Sequence, residues 1–330
     1  MELFHKILKT AVEGGASDVH IKADAPVVCR INSQLVETEM NQQPDEQWLS
    51  NIIDKIVPGH FTQRLEEDRE IDFSYHVPGI GRFRTNCYQH LGKWCLAMRH
   101  VVAEVPNIDS LGLPEIIKSI AEEQRGIVIV AGTTGCGKST TLAGMIDHIN
   151  TTQKRHIITM EDPVEYVFED RQCIIEQREV GLDTPSYQHS LKHVMRQDPD
   201  VIMIGEMRDA TSFRAAMSAA DTGHLVLSTL HTIDAPQSIS RVLDFFPAAD
   251  REQVRKQMVG TLKAIIVQRM TVRKDGRVIP AVEIMINTLT VTKLIIENRL
   301  EKLHVAIETG TEDGMQNFNQ SLFQLVKDDI

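Results

Sequence analysis

Apolar and polar positions along the chain change rhythm near residue 115. Before that point Leu3, Phe4, Ile7, Leu8, Ala11 and Val12 recur at helical spacing and stop at Gly14-Gly15, which predicts an amphipathic first helix. Val19 and Ile21, then Val27, Cys29 and Ile31, alternate with polar neighbours as half-buried strands do. Trp48, Leu49, Ile52, Ile53 and Ile56 form a second helical stripe closed by Pro58-Gly59, and such a stripe is a core face before it is a ligand box. Ile71, Phe73, Tyr75 and Val77 alternate up to a Pro78-Gly79 turn, with further strand-like runs over residues 82–88 and 93–99. Residues 1–100 therefore read as a small mixed α/β domain.

Residues 101–114 show no period and are punctuated by Pro106, Gly112 and Pro114, which predicts a flexible linker. Residues 115–330 form a second domain of different character. Short β-branched runs at 127–130, 157–159, 201–204 and 225–229 alternate with helical patterns, the signature of a parallel sheet wrapped by helices. A mostly helical tail runs from about residue 291 to the end.

Composition narrows the class. Of 330 residues 42% are hydrophobic and 25% charged, an ordinary globular balance. Thirty-five basic against 46 acidic residues leave a net charge of −11, which argues against a protein that coats nucleic acid or an anionic bilayer. Cys29, Cys87, Cys95, Cys136 and Cys173 form no CxxC and no metal-ligand spacing, so they read as reduced thiols. No apolar run approaches the ~18 residues of a membrane span, and the first residues lack a signal-peptide core, so a cytoplasmic location is expected.

The chemistry begins at Gly132-Thr133-Thr134-Gly135-Cys136-Gly137-Lys138-Ser139-Thr140, which fits GxxxxGK[ST] between an apolar strand and a helix. Glycines let the backbone curl so that successive N–H groups face phosphate oxygens, and the helix N-terminus adds a positive end. Lys138 is expected on the β- and γ-phosphates of ATP and Ser139 on Mg²⁺; Cys136 reads as a small filler.

Three further segments are candidates for the same site. The run Val201, Ile202, Met203, Ile204 ends in Gly205-Glu206, where a Walker B sequence falls, although Gly205 stands where common P-loop NTPases carry aspartate. This strand is expected beside the P-loop strand, with Glu206 catalytic and near the metal rather than merely capping a helix. Glu161, Asp162 and Glu165 cluster at the carboxyl end of another strand, where open α/β sheets bind ligands; they would hold hydrated Mg²⁺ or orient water, or form a solvated acidic turn. His224 and His231 flank the run 225–230 and lie ~23 Å apart along it, so they do not share a metal, and sheet logic puts His231 at the nucleotide end. In the first domain Arg82, Arg84 and Arg99 are solvated strand residues or, on the sharper reading, arginine fingers for a neighbouring subunit's triphosphate.

Arg82-Phe83-Arg84, GTTGCGKSTT, EDPVEY, QREVGLDT, RQDPDVIMIGEMRD, DTGHLVLSTLHT and RVLDFFP together resemble the PilT/PilU branch of type IV pilus ATPases, in the secretion-ATPase superfamily. The resemblance runs along nearly the whole chain. It implies a PAS-like N-terminal domain, a RecA-like motor domain, a ring-shaped homohexamer and an inner-membrane platform protein of a pilus as partner. It makes the EDPVE carboxylates an Asp box and Glu206 the Walker B glutamate. It assigns His224 and His231 to His boxes, with His224 among the nucleotide-binding residues, and Arg84 and Arg99 to the arginine fingers. The chain lacks the tetracysteine insertion and the long N-terminal extension of assembly ATPases, which favours a retraction motor. Residues 290–297 keep Leu294, Ile295 and Glu297 of the retraction branch's AIRNLIRE-like helix but not its arginines, which leaves an accessory, PilU-like role open. A nucleic-acid translocase is the alternative from another class, disfavoured by the charge of −11.

Overall fold

A computed structural model describes all residues except 33, 39–42 and 102–104, and divides the chain into two compact units, Met1–Glu104 and Val105–Ile330. In the first unit, α1 (Glu2–Glu13) is followed by β1 (Ala16–Lys22), β2 (Val28–Ile31) and β3 (Gln34–Glu37). Then come α2 (Glu46–Ile56), α3 (Thr62–Asp68), β4 (Glu70–Val77), β5 (Gly81–His90) and β6 (Lys93–Val101). The strands make one antiparallel sheet in the order β3-β2-β1-β6-β5-β4. Phe4, Ile7 and Leu8 of α1 and Leu49, Ile52 and Ile53 of α2 pack with Val19, Ile21, Phe73, Phe83, Leu96 and Met98 in one core. Alternation along each strand then sends Asp18, Arg84 and Arg99 to the opposite face of the sheet.

The second unit contains α4 (Ile116–Ala121), β7 (Gly126–Gly132), α5 (Lys138–Thr152), β8 (His156–Glu161), β9 (Ile174–Glu179) and α6 (Tyr187–Val194). It continues with β10 (Val201–Ile204), α7 (Ala210–Asp221), β11 (Leu225–Leu230), α8 (Ala235–Asp244), α9 (Arg251–Thr261), β12 (Leu262–Val272) and β13 (Val278–Ile286). Three short helices follow, α10 (Leu289–Ile296), α11 (Leu303–Thr309) and α12 (Phe318–Lys327). The seven strands order as β13-β12-β7-β11-β10-β8-β9, all parallel except β13. Successive residues of β7 supply two separate cores. Ile127 and Ile129 pack with Phe213 and Met217 of α7, whereas Val128 and Val130 pack with Leu142, Met145 and Ile146 of α5. Both faces are therefore covered, which is why these strands read as continuous apolar runs.

Two expectations need correction. The strand carrying Glu206 is not beside the P-loop strand: β11 lies between β10 and β7. The stretch expected as a linker is not uniform either. Residues 102–104 lie outside the described residues, but Ile108 and Leu113 are buried in the core beneath α5, and Asp109–Leu111 form a turn of 3₁₀ helix. Two prolines erased the periodicity there without removing the apolar anchors.

Candidate active site

The carboxyl ends of β7, β8, β10 and β11 open into one cleft of about 380 Å³, lined among others by Lys138, Asp162, Glu165, Glu206 and His231. Its floor is the loop between β7 and α5. Gly137 adopts φ +87° at the start of this 15-residue helix, and Gly132 adopts φ +145°. A side chain at Gly132 would collide with the carbonyl oxygen of Gln268 at 2.6 Å and with the Cys136 sulfur, so only glycine fits. Lys138 is buried and donates from Nζ to the carbonyls of Gly132 and Thr133, each at 3.0 Å. Of the rest of the predicted loop, Thr134, Gly135, Ser139 and Thr140 line the cleft, Thr133 is exposed, and Cys136 is buried as a filler. Thr140 is hydrogen-bonded to Tyr166 at 2.9 Å, which ties the helix start to the loop after β8.

Glu206 leaves the end of β10 and is held from two sides. Arg208 Nε donates to Oε2 at 2.8 Å, and His231 Nε2 stands 3.4 Å from Oε1. Thr229 donates to the Gly205 carbonyl at 2.6 Å and Ser228 to that of Ile204 at 2.7 Å, fixing the two strand ends against each other. Thus Glu206 reaches the cleft although its strand is one place removed from β7. Gly205 also has a physical reason: a Cβ there would meet the Tyr187 hydroxyl at 2.9 Å. An aspartate there would have to displace this tyrosine, whose hydroxyl is pushed well above its usual range by burial and by nearby Asp162 and Glu161.

The acidic segment divides into different roles. Glu161 lines the cleft at the end of β8 and is buried, unlike its two acidic neighbours. Its Oε1 accepts from Thr159 at 2.7 Å and Gln177 at 3.2 Å, and its Oε2 accepts from the Glu165 backbone N–H at 3.4 Å. Burial pushes its carboxyl up in spite of these bonds. Its Oε1 is committed to Thr159 and Gln177, so Glu161 ties the loop after β8 to β9. Asp162 and Glu165 are exposed at the rim of the cleft. Ser139, Asp162 and Glu206 bring hard oxygen donors to one space, a set that suits Mg²⁺. No group of three or more His, Cys, Asp or Glu able to hold a metal occurs among the described residues. Magnesium here would have to complete its shell with phosphate oxygens and water, as it commonly does.

His224 sits at the amino end of β11, where its Nδ1 is bonded within 3.1 Å of Thr222 and Ala219 and its carbonyl accepts from Gly126 N–H. Six residues of strand separate it from the cleft, so within this chain it does not reach the nucleotide loop. Arg84 and Arg99 belong to the first unit and face each other directly across β5 and β6. Arg99 donates from Nε to Asp18 at 2.8 Å, and Arg84 has no ion pair among the described residues. The motifs quoted above contain Tyr166, Gln177 and Arg208 without giving them a role, and Tyr187 lies outside them all. Tyr166 stands one residue beyond the EDPVE run and Arg208 two beyond Glu206, so proximity to each motif was the available signal.

A phosphate loop at the head of a helix, a carboxylate one strand away and a doubly covered parallel sheet define a P-loop ATPase of RecA-like architecture. The comparisons with known proteins narrow this class. The family described as type II/IV secretion system protein matches residues 1–312, and the chain belongs to that family. It is 38% identical over 321 residues to the type IV pilus retraction ATPase PilT of Pseudomonas aeruginosa, spanning 97% of this chain and 93% of that protein. It is also 38% identical over 323 residues to the type IV pilus ATPase PilU of the same organism, spanning 98% and 84%. A crystal structure of the pilus retraction motor PilT with bound ADP superposes with a TM-score of 0.91 at 40% identity, covering 98% of this chain and 92% of that one.

Proposed function

We propose that this chain is an ATP-hydrolysing motor that retracts type IV pili and so supports twitching motility, working as a homohexamer. The reading is carried by full-length similarity to a retraction ATPase combined with a cleft that assembles Lys138, Ser139 and Glu206. Lys138 and the amides of residues 132–140 bind the β- and γ-phosphates. Ser139, Asp162 and Glu206 would hold Mg²⁺, which would supply positive charge against the phosphate oxygens. Glu206, fixed by Arg208 and His231, orients the attacking water, with Glu165 at the rim as a second carboxylate. Arg84 and Arg99 stabilise the transition-state charge of a neighbouring subunit's nucleotide. Turnover then depends on ring closure, and movement between the two units transmits the work.

No helix among the described residues is long and apolar enough to cross a membrane. Attachment to the cytoplasmic side of the inner membrane would come through a pilus platform protein. The test is fibre retraction in a strain lacking the gene: loss of retraction, restored by the native chain and not by Lys138→Ala, is expected. Normal retraction in the deletion strain would contradict a primary motor and favour an accessory, PilU-like role. The altered helix at residues 290–297 and the equal identity to PilU support that second reading.

A further inference from the structure

One carboxylate outside the cleft lacks a role in the reading above. Asp18 is only 7% exposed although it lies on the sheet face opposite the helices of its unit. The register places Arg30, Asp18, Arg99, Arg84 and Ser74 in a single row across five strands. Three guanidinium groups and one carboxylate therefore share a line, with Arg84 and Arg99 directly opposed, an arrangement that repels unless an anion offsets it.

The backbone just before Asp18 departs from regular pairing. Between Ala16 and Asp18 the pairing of β1 with β2 slips, two residues of β1 facing one of β2, as in a β-bulge. The slip lets Ala16 stay in the core with Val19 and Ile21 while Asp18 turns to the arginine face. Ser17 donates to Asp18 Oδ2 at 2.8 Å, and Arg30 Nε lies 3.7 Å from the same oxygen. The other oxygen, Oδ1, accepts from Arg99 Nε at 2.8 Å. Although burial alone would raise the Asp18 carboxyl, its bonds from Arg99 and Ser17 hold it below the ordinary aspartate range. It is thus an ionised, fixed anchor.

The contact is made through Nε, the inner nitrogen of the guanidinium. The terminal nitrogens of Arg99 have no partner among the described residues, and its side chain is 68% exposed. We infer that Asp18 is a positioning residue: it clamps Arg99 by Nε so that the outer edge of the guanidinium is presented, beside Arg84, to a triphosphate bound by a neighbouring subunit. This rests on the reading of Arg99 as an arginine finger. Asp18 touches no substrate itself and acts by restricting the approach of the charge that does; a displacement of about 1 Å at such a group costs on the order of 100-fold in rate.

The experiment compares Asp18→Asn with Arg99→Ala, and each of them co-expressed with the Lys138→Ala chain so that mixed rings form. Asp18→Asn is expected to lower kcat between about 10- and 100-fold with KM for ATP unchanged. In rings mixed with Lys138→Ala, turnover should recover well above the mean of the two pure preparations. There an intact phosphate loop next to Asp18→Asn's own defect receives the correctly held Arg99 of the other chain. A purely structural fault in the Asp18→Asn chain would not be repaired by its neighbour. Should Asp18→Asn fail to assemble, Asp18→Glu replaces it, with a smaller loss and the same recovery expected. If Arg99→Ala recovers in mixed rings and the Asp18 variant does not, or if the Asp18 variant turns over like the native chain, the positioning role is overturned. If Arg99→Ala itself turns over like the native chain, the arginine-finger reading falls and takes this inference with it.

Discussion

The cleft at the carboxyl end of the parallel sheet and the arginine row on the antiparallel sheet are built in opposite ways. The cleft draws its groups from four strand ends that lead directly into it, and its lysine and glutamate are held by short, local bonds. The row draws its groups from five strands joined across the long-range pairing of β1 with β6, and it sets three guanidinium groups against the single carboxylate of Asp18. A cleft rich in carboxylates has need of cations, and the row has an excess of them. The lesson is that a phosphate-binding site complete in its loop and a sheet with more arginines in a row than carboxylates sit on the same chain, each holding the charge the other is short of.

Four substitutions break or sharpen this contrast. Lys138→Ala should have the largest effect, lowering ATP turnover by at least about 1000-fold while melting and circular dichroism stay close to the native chain. Residual hydrolysis near the native rate would remove the cleft from the account. Glu206→Gln should lower kcat on the order of 100-fold with ATP still bound, because the amide keeps the shape but not the capacity to orient and accept from water. Titration with a fluorescent ATP analogue separates that outcome from a loss of binding. Ile108→Ala should destabilise the second unit by about 2–4 kcal/mol, since the side chain is 2% exposed in its core; a flexible tether would register no change in denaturant unfolding.

The smallest effect concerns acid. Asp18 is held below the ordinary value of 3.8, so the folded first unit binds fewer protons there than the unfolded chain does. The stability this contributes is complete above that pH and disappears as pH falls through the lowered folded value. Native and Asp18→Asn unfolding curves should therefore converge in acid below pH 3.8. A constant offset at every pH would show that the side chain's charge is not what matters.

Much of the second unit was legible in sequence because its signals are local. The runs at 127–130, 157–159, 201–204 and 225–229 became β7, β8, β10 and β11, and the phosphate loop fell between strand and helix as the motif requires. What escaped depends on distant partners or on masked punctuation. Nothing in the run 201–204 states that β11 will insert beside it. The strand β12 follows α9 directly, and the lone Gly260 in the last turn of that helix is a weak break. β13 contains Pro280, which weakens a strand signal yet is tolerated here because β13 is the edge of its sheet. β3 is exposed at all four positions and has no alternation to read. In the site, Glu161 was indistinguishable from Asp162 by spacing; burial and the hydrogen bonds from Thr159 and Gln177 set it apart from its exposed neighbour.

The dependence of hydrolysis on assembly tests the central claim most directly. Steady-state phosphate release, measured across a dilution series whose association state is followed by sedimentation, should rise per chain as rings form. In Arg99→Ala the same assembly should bring almost no rise. Equal activity per chain in dilute monomers and in rings would contradict the account, because it would mean that the cleft needs no charge from a neighbour.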